Sequence, residues 1–307
     1  MTLSDFNYHT LPLRDDYEGK VIATLTEAKS NTGSRPAVLY LHGFIDYFFQ
    51  AHLAEAILSA GYDFYALELR KCGHSLLPHQ HPNYCRHIEE YFEETDTALQ
   101  YIFSKSGKPI KLLGHSTGGL IAALYMHKGD KRELVDRLIL NSPFLEFNIR
   151  PRLLRAFGKL IAPPLATVLP YSNLKGVVNP IYPSSIHKDY HGEWDFDLTL
   201  KPIQGFPAYF AWIHAVDMAQ KELRQHADIK VPVLILHSDR SFIPRKEVDN
   251  VHEADIVLDV KDITSIGSRL GKDVTLQAVT KAKHDVFLSR KPAREMAFAL
   301  LMNWMKK

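Results

Sequence analysis

The chain has 307 residues, 46% of them hydrophobic and 23% charged, with a formal net charge of +2. That length and apolar content suit one large α/β core carrying an insertion, and the near-neutral charge excludes the polybasic signature of a nucleic-acid binder. Two cysteines, Cys72 and Cys85, in a chain whose first residues lack a basic start and an apolar run read as reduced thiols, and the expected location is cytoplasmic.

The first informative element is the apolar run Pro36-Ala37-Val38-Leu39-Tyr40-Leu41, read as a buried strand that ends at His42-Gly43-Phe44. Glycine at that point lets backbone N–H groups face a pocket, which makes the N–H of Phe44 a candidate oxyanion donor and His42 a hydrogen-bonding support of the loop. Helices are expected over 46–60 and 84–103. His79, His81, Cys85 and His87 gather between them, but their spacing matches no zinc pattern and Pro78 and Pro82 mark a loop, so no metal site is expected.

Next comes the run Lys108-Pro109-Ile110-Lys111-Leu112-Leu113, a short buried strand, followed at once by Gly114-His115-Ser116-Thr117-Gly118. A Gly-x-Ser-x-Gly pentapeptide between a strand and a helical stretch is a nucleophile elbow: Gly114 and Gly118 permit a turn too tight for side chains, and Ser116 is lifted above the sheet edge. The backbone N–H of Thr117 then becomes the second candidate oxyanion donor, beside Phe44.

Strand-like and helix-like segments alternate to about residue 143, the pattern of a parallel sheet with crossover helices. The pattern then changes. Residues 144–207 read as an inserted helical cap between a first core part, 1–143, and a second, 208–307. Ile149, Leu153, Phe157, Leu160 and Ile161 repeat at helical spacing within a basic surround of Arg150, Arg152, Arg155 and Lys159, a face suited to roofing a pocket or touching an anionic lipid surface transiently.

Val231 to His237 reads as a strand buried on both faces, and it delivers Asp239 to a loop; Asp273 to Val279 reads as the next strand, with His284 beyond its end. An elbow serine needs a base and an orienting acid in the order Ser, Asp or Glu, His. His284 is the expected base and Asp239 the expected acid, with Asp255, Asp259, Asp262 and Asp285 as the other carboxylates available.

On these residues the chain resembles the α/β-hydrolases, and within them the serine hydrolases grouped as lysophospholipases, monoacylglycerol lipases and serine-aminopeptidase-like enzymes. The matching stretches are Leu41-His42-Gly43-Phe44, Gly61 to Ser75, Gly114 to Gly118, His237-Ser238-Asp239-Arg240 and His284-Asp285-Val286. Two stretches depart from that pattern. Glu68 to Ser75 stands where the family has Asp-x-x-Gly-x-Gly-x-Ser, and Ala254 to Val260 corresponds to no functional element that the resemblance supplies. The resemblance implies a mostly parallel, doubly wound sheet with an inserted cap and a serine esterase acting on small-molecule or lipid esters without a cofactor. An aminopeptidase of the same fold and a non-catalytic ligand-binding homologue are the alternatives.

Overall fold

Runs such as Ala37–Leu41 and Ile110–His115 are mostly apolar, so they demand cover on both faces, and both lie fully buried near the middle of one eight-stranded sheet. The computed structural model describes residues 1–28, 35–149, 158, 163–174, 179–244 and 249–306. The main strands are β1 (Asn7–Pro12), β2 (Ile22–Ala28), β3 (Ala37–Leu41), β4 (Asp63–Glu68), β5 (Ile110–His115) and β6 (Val135–Asn141). A two-stranded ribbon, β7 (Asn173–Leu174) with β8 (Ala208–Tyr209), stands apart, and β9 (Val233–Ser238) and β10 (Val274–Val279) complete the sheet. Its order is β1-β2-β4-β3-β5-β6-β9-β10, with β1–β2 and β2–β4 antiparallel and every later pair parallel. This is the α/β architecture expected from the alternating segments, and its parallel strands bring their carboxyl ends to one edge.

Period-two alternation divides the core. Ala37, Leu39 and Leu41 of β3 pack with Ile110 and Leu112 of β5 on one face, where helices α2 (Phe92–Ser106) and α3 (Thr117–Lys128) lie. Val38, Tyr40 and Leu113 point to the other, covered by α1 (Ala51–Ser59) and the last helix, Lys291–Met305.

Both early helices begin later than their sequence pattern indicates. Residues 46–50 stay irregular, and there Lys201 holds Asp46 while the hydroxyl of Tyr47 accepts the N–H of Asp197; tertiary bonds outweigh local propensity. The start of the second is a short 3-10 turn, Ile88–Tyr91. Ile149 is exposed, while the remainder of the expected amphipathic stripe, from Arg150 to Phe157 and from Lys159 to Ile161, lies outside the described residues. Among the described residues no helix is long and apolar enough to cross a membrane.

Candidate active site

The turn between β5 and α3 shows why its glycines are glycines. A Cβ on Gly114 would overlap the carbonyl oxygen of Gly118, and one on Gly118 would overlap the carbonyl oxygens of Leu41 and His42. Between them Ser116 adopts φ 51° and ψ −114°, a conformation costly for a residue with a side chain. Its backbone is held: Ser116 N–H donates to Asn141 O at 3.0 Å, and Ser116 O accepts from Leu120 N–H at 3.1 Å and Phe144 N–H at 3.0 Å.

The loop after β10 brings His284 to this serine. Its Nδ1–H donates to Asp255 Oδ2 at 2.8 Å, which leaves Nε2 as the acceptor for Ser116 Oγ–H at 2.9 Å. His284 and Asp255 are buried, and Ser116 keeps partial access. Asp285, the next residue, accepts from Asn141 Nδ2 at 2.7 Å and from Phe287 N–H at 3.0 Å, so it anchors the loop that presents the imidazole.

The acid in contact with His284 is thus Asp255, and the expectation that Asp239 would fill this position is corrected. Asp239 does leave the end of β9, but its carboxylate accepts Lys281 N–H at 3.0 Å and pairs with the Arg240 guanidinium at 2.9 Å. It is stapled to the turn after β10, where Lys281 takes φ 57°. The chain instead leaves the sheet after β9 and returns: Asp255 N–H donates to Arg240 O at 3.0 Å, Phe242 N–H donates to Asp255 O at 2.9 Å, and Ser241 and Asp255 form a parallel bridge. That re-entry puts Asp255 beside the β9 terminus although it is far along the chain. In the turn before the helix Val260–Gly267, Asp255 Oδ1 accepts Val257 N–H at 2.8 Å and Leu258 N–H at 2.7 Å, bonds that no local sequence signal announces.

The β3 loop lies against the serine, since a Cβ on Gly43 would stand 3.4 Å from Ser116 Cβ. Phe44 follows Gly43 in that loop, and Thr117 follows Ser116 as the first residue of α3, where an N–H has no intrahelical acceptor. Phe44 stacks on Trp212 with ring centroids 4.0 Å apart. Asp46 is buried and bonded to Lys201 at 2.7 Å; burial alone would raise its pKa, but Lys201, His42 and His115 outweigh that and hold it below the ordinary value. Burial pushes the His115 and His42 imidazoles toward their neutral forms.

Away from this edge, His79 and His81 are engaged with the β1–β2 loop, through Lys20 O at 3.2 Å and Glu18 Oε1 at 2.5 Å. Among the described residues no three His, Cys, Asp or Glu side chains form a group that could hold a metal ion, and both cysteines are free and buried.

Residues 32–290 match the family described as serine aminopeptidase, S33. No curated protein matches the sequence. Solved structures do match in fold. A soluble variant of monoglyceride lipase from Saccharomyces cerevisiae, in complex with a substrate analog, superposes with a TM-score of 0.71 at 18% identity, over 100% of this chain and 98% of that one. The monoacylglycerol lipase of Paleococcus ferrophilus gives 0.66 at 20% identity over 91% and 97%, and Est1E from Butyrivibrio proteoclasticus, bound to ferulic acid, gives 0.58 at 18% over 93% and 94%.

Proposed function

The chain belongs to the serine aminopeptidase, S33, family and has the α/β-hydrolase fold, and on that premise we propose that it is a serine hydrolase that cleaves carboxylic esters through an acyl-enzyme. The observation that carries this reading is the unbroken relay from Ser116 Oγ to His284 to Asp255, on a serine held in a strained conformation. Ser116 Oγ attacks the ester carbonyl carbon as its proton passes to His284 Nε2. Asp255 fixes the ring tautomer and stabilises the imidazolium. The N–H groups of Phe44 and Thr117 receive the oxyanion, each contributing about 3 kcal/mol in enzymes where such a donor has been removed. Nε2–H then protonates the leaving alkoxide, and water repeats the cycle on the acyl group.

Medium or long acyl esters, including monoacylglycerols or lysophospholipids, are the proposed substrates. Support comes from the monoglyceride lipases among the fold relatives and from the insertion, which exposes Val168, Leu169 and Leu174 and suits brief contact with a lipid surface. The family description favours one second reading, release of an amino-terminal residue from a peptide.

Hydrolysis of p-nitrophenyl esters from two to sixteen carbons, against aminoacyl p-nitroanilides, separates the two. The expected result is ester turnover with an optimum above four carbons, abolished in a Ser116→Ala protein that still unfolds cooperatively. Turnover of anilides alone would replace the ester reading with the peptidase one, and undiminished activity in Ser116→Ala would remove the nucleophile.

A further inference from the structure

The Gly43-Phe44-Ile45 loop belongs to no helix or strand, so its peptide orientations have to be set by groups outside it. His42 sets the first. Its Nε2 accepts Leu69 N–H at 3.0 Å, which leaves Nδ1–H to donate to Gly43 O at 2.8 Å. Because a trans amide points its N–H opposite its C=O, fixing Gly43 O also fixes the Phe44 N–H.

The second peptide is held from much farther along the chain. Ile45 N–H donates to Asn83 Oδ1 at 2.9 Å, a buried bond between residues 38 positions apart. Ile45 has φ 51°, where a β-branched side chain is strained, and Asn83 and Lys71 have φ 58° and 60°. The three left-handed residues form one chain of bonds: Asn83 N–H donates to Lys71 O at 2.8 Å, and the Lys71 ammonium is fully buried between Asp16 at 2.7 Å and Glu18 at 2.6 Å. Asn83 Oδ1 also accepts Cys72 Sγ–H at 3.4 Å. Strain of this kind persists only where the surroundings over-determine it.

We propose that Asn83 is a positioning residue for the oxyanion loop, its side-chain carbonyl holding Ile45 left-handed so that the Phe44 N–H stays directed beside Ser116. Asn83 does not touch the reacting atoms. It acts on the peptide after Phe44 as His42 acts on the peptide before it, and the β1–β2 loop braces it through Lys71. The inference rests on the serine-hydrolase reading of the same site.

Two substitutions separate positioning from simple support. Asn83→Gly deletes the acceptor yet takes a left-handed backbone without steric cost, and Asn83→Asp keeps an oxygen in the same place. Both are compared with the wild type for kcat and KM on a p-nitrophenyl ester, for the rate of Ser116 phosphonylation by a p-nitrophenyl alkylphosphonate, and for amide exchange at Ile45. Removing an oxyanion donor outright costs 10²–10³ in rate, so loosening one is expected to lower kcat and phosphonylation about tenfold in Asn83→Gly, with KM within about twofold. Ile45 exchange should quicken in that variant, and Asn83→Asp should recover to within about threefold of wild type. If the glycine variant does not fold, the wild type carries the test through exchange at Ile45, and an Ile45 amide that exchanges as fast as an unprotected loop amide would overturn the proposal.

Wild-type kcat in the deletion variant, or equal losses in it and in Asn83→Asp, would overturn the proposal while leaving the serine-hydrolase reading intact. A wild-type chain that neither turns over esters nor reacts with the phosphonate would refute that reading first, and the proposal with it.

Discussion

Asp255 uses both carboxylate oxygens, Oδ1 on the Val257 and Leu258 N–H groups and Oδ2 on His284. That arrangement keeps the carboxylate an acceptor and locks the ring so that Nε2 meets Ser116. Asp239 is nearer in sequence to the strand end, but it has Arg240 and the Lys281 N–H as partners. The two aspartates therefore predict opposite kinetics. Asp255→Asn should lower kcat by about 10⁴, the size of loss seen when the triad aspartate of a serine protease is changed to asparagine, because the ring can then settle in the wrong tautomer. Asp239→Asn should keep kcat within about threefold, since its pair with Arg240 is a surface contact worth little. Steady-state kinetics on both variants with one ester decide the matter, and the reverse pattern would return the acid's role to Asp239.

The elbow is set at the level of the element, by backbone approach. Gly118 lets α3 start directly against the end of β3, with the carbonyl oxygens of Leu41 and His42 where a side chain would begin. Gly107, the residue after α2, has φ 61° but open space around it. Alanine at the two positions should therefore behave differently. Gly107→Ala should cost about 1 kcal/mol, the left-handed penalty alone. Gly118→Ala has to move two strand-end carbonyls and should cost about 3 kcal/mol or more. Urea midpoints of the two variants test the contrast, and a Gly118→Ala protein as stable as Gly107→Ala would mean that the strand end yields easily.

Across the whole molecule, residues 182–201 are tied to the loops around Ser116 and His284. Lys201 bonds Asp46, Trp194 Nε1–H donates to Leu288 O at 2.9 Å, Asp285 N–H donates to Tyr182 OH at 3.2 Å, and Lys283 Nζ donates to Ser185 O. A separate apolar cluster containing Tyr47, Phe49, Tyr182, Ile186, Phe196 and Leu288 fills the space between these bonds. Lys283 is a buried amine among these contacts. Burial lowers its pKa from the ordinary 10.5 to about 7, with Glu193 opposing and Arg290 adding to the shift. Between those values the unfolded chain binds a proton that the folded chain does not, so this group makes stability rise as pH increases from about 7 toward 10.5 and withholds that gain below the window. In Lys283→Met the rise should disappear and stability at pH 7 should increase. Denaturant midpoints across that range would show it, and parallel wild-type and variant curves would exclude Lys283 as the source.

The sequence by itself determined the main strands and put Ser116 and His284 just beyond the ends of two of them. Period-two and continuous apolar runs are local consequences of burial, and they marked β3, β5, β9 and β10. The elbow was legible for a similar reason, because a tight turn admits only glycine two residues to either side of Ser116, and His284 was found by its place just beyond a strand. Asp255 was not legible, because nothing local distinguishes a carboxylate that returns to the sheet edge from one that leaves it. That choice is made by the backbone bonds of Asp255 to Arg240 and Phe242, and by the competing claim of Lys281 and Arg240 on Asp239. The bond from Ile45 N–H to Asn83 Oδ1 belongs to the same class. It joins residues whose proximity exists only once β3, β4 and the loop after β4 have assembled, so tertiary structure alone decided it.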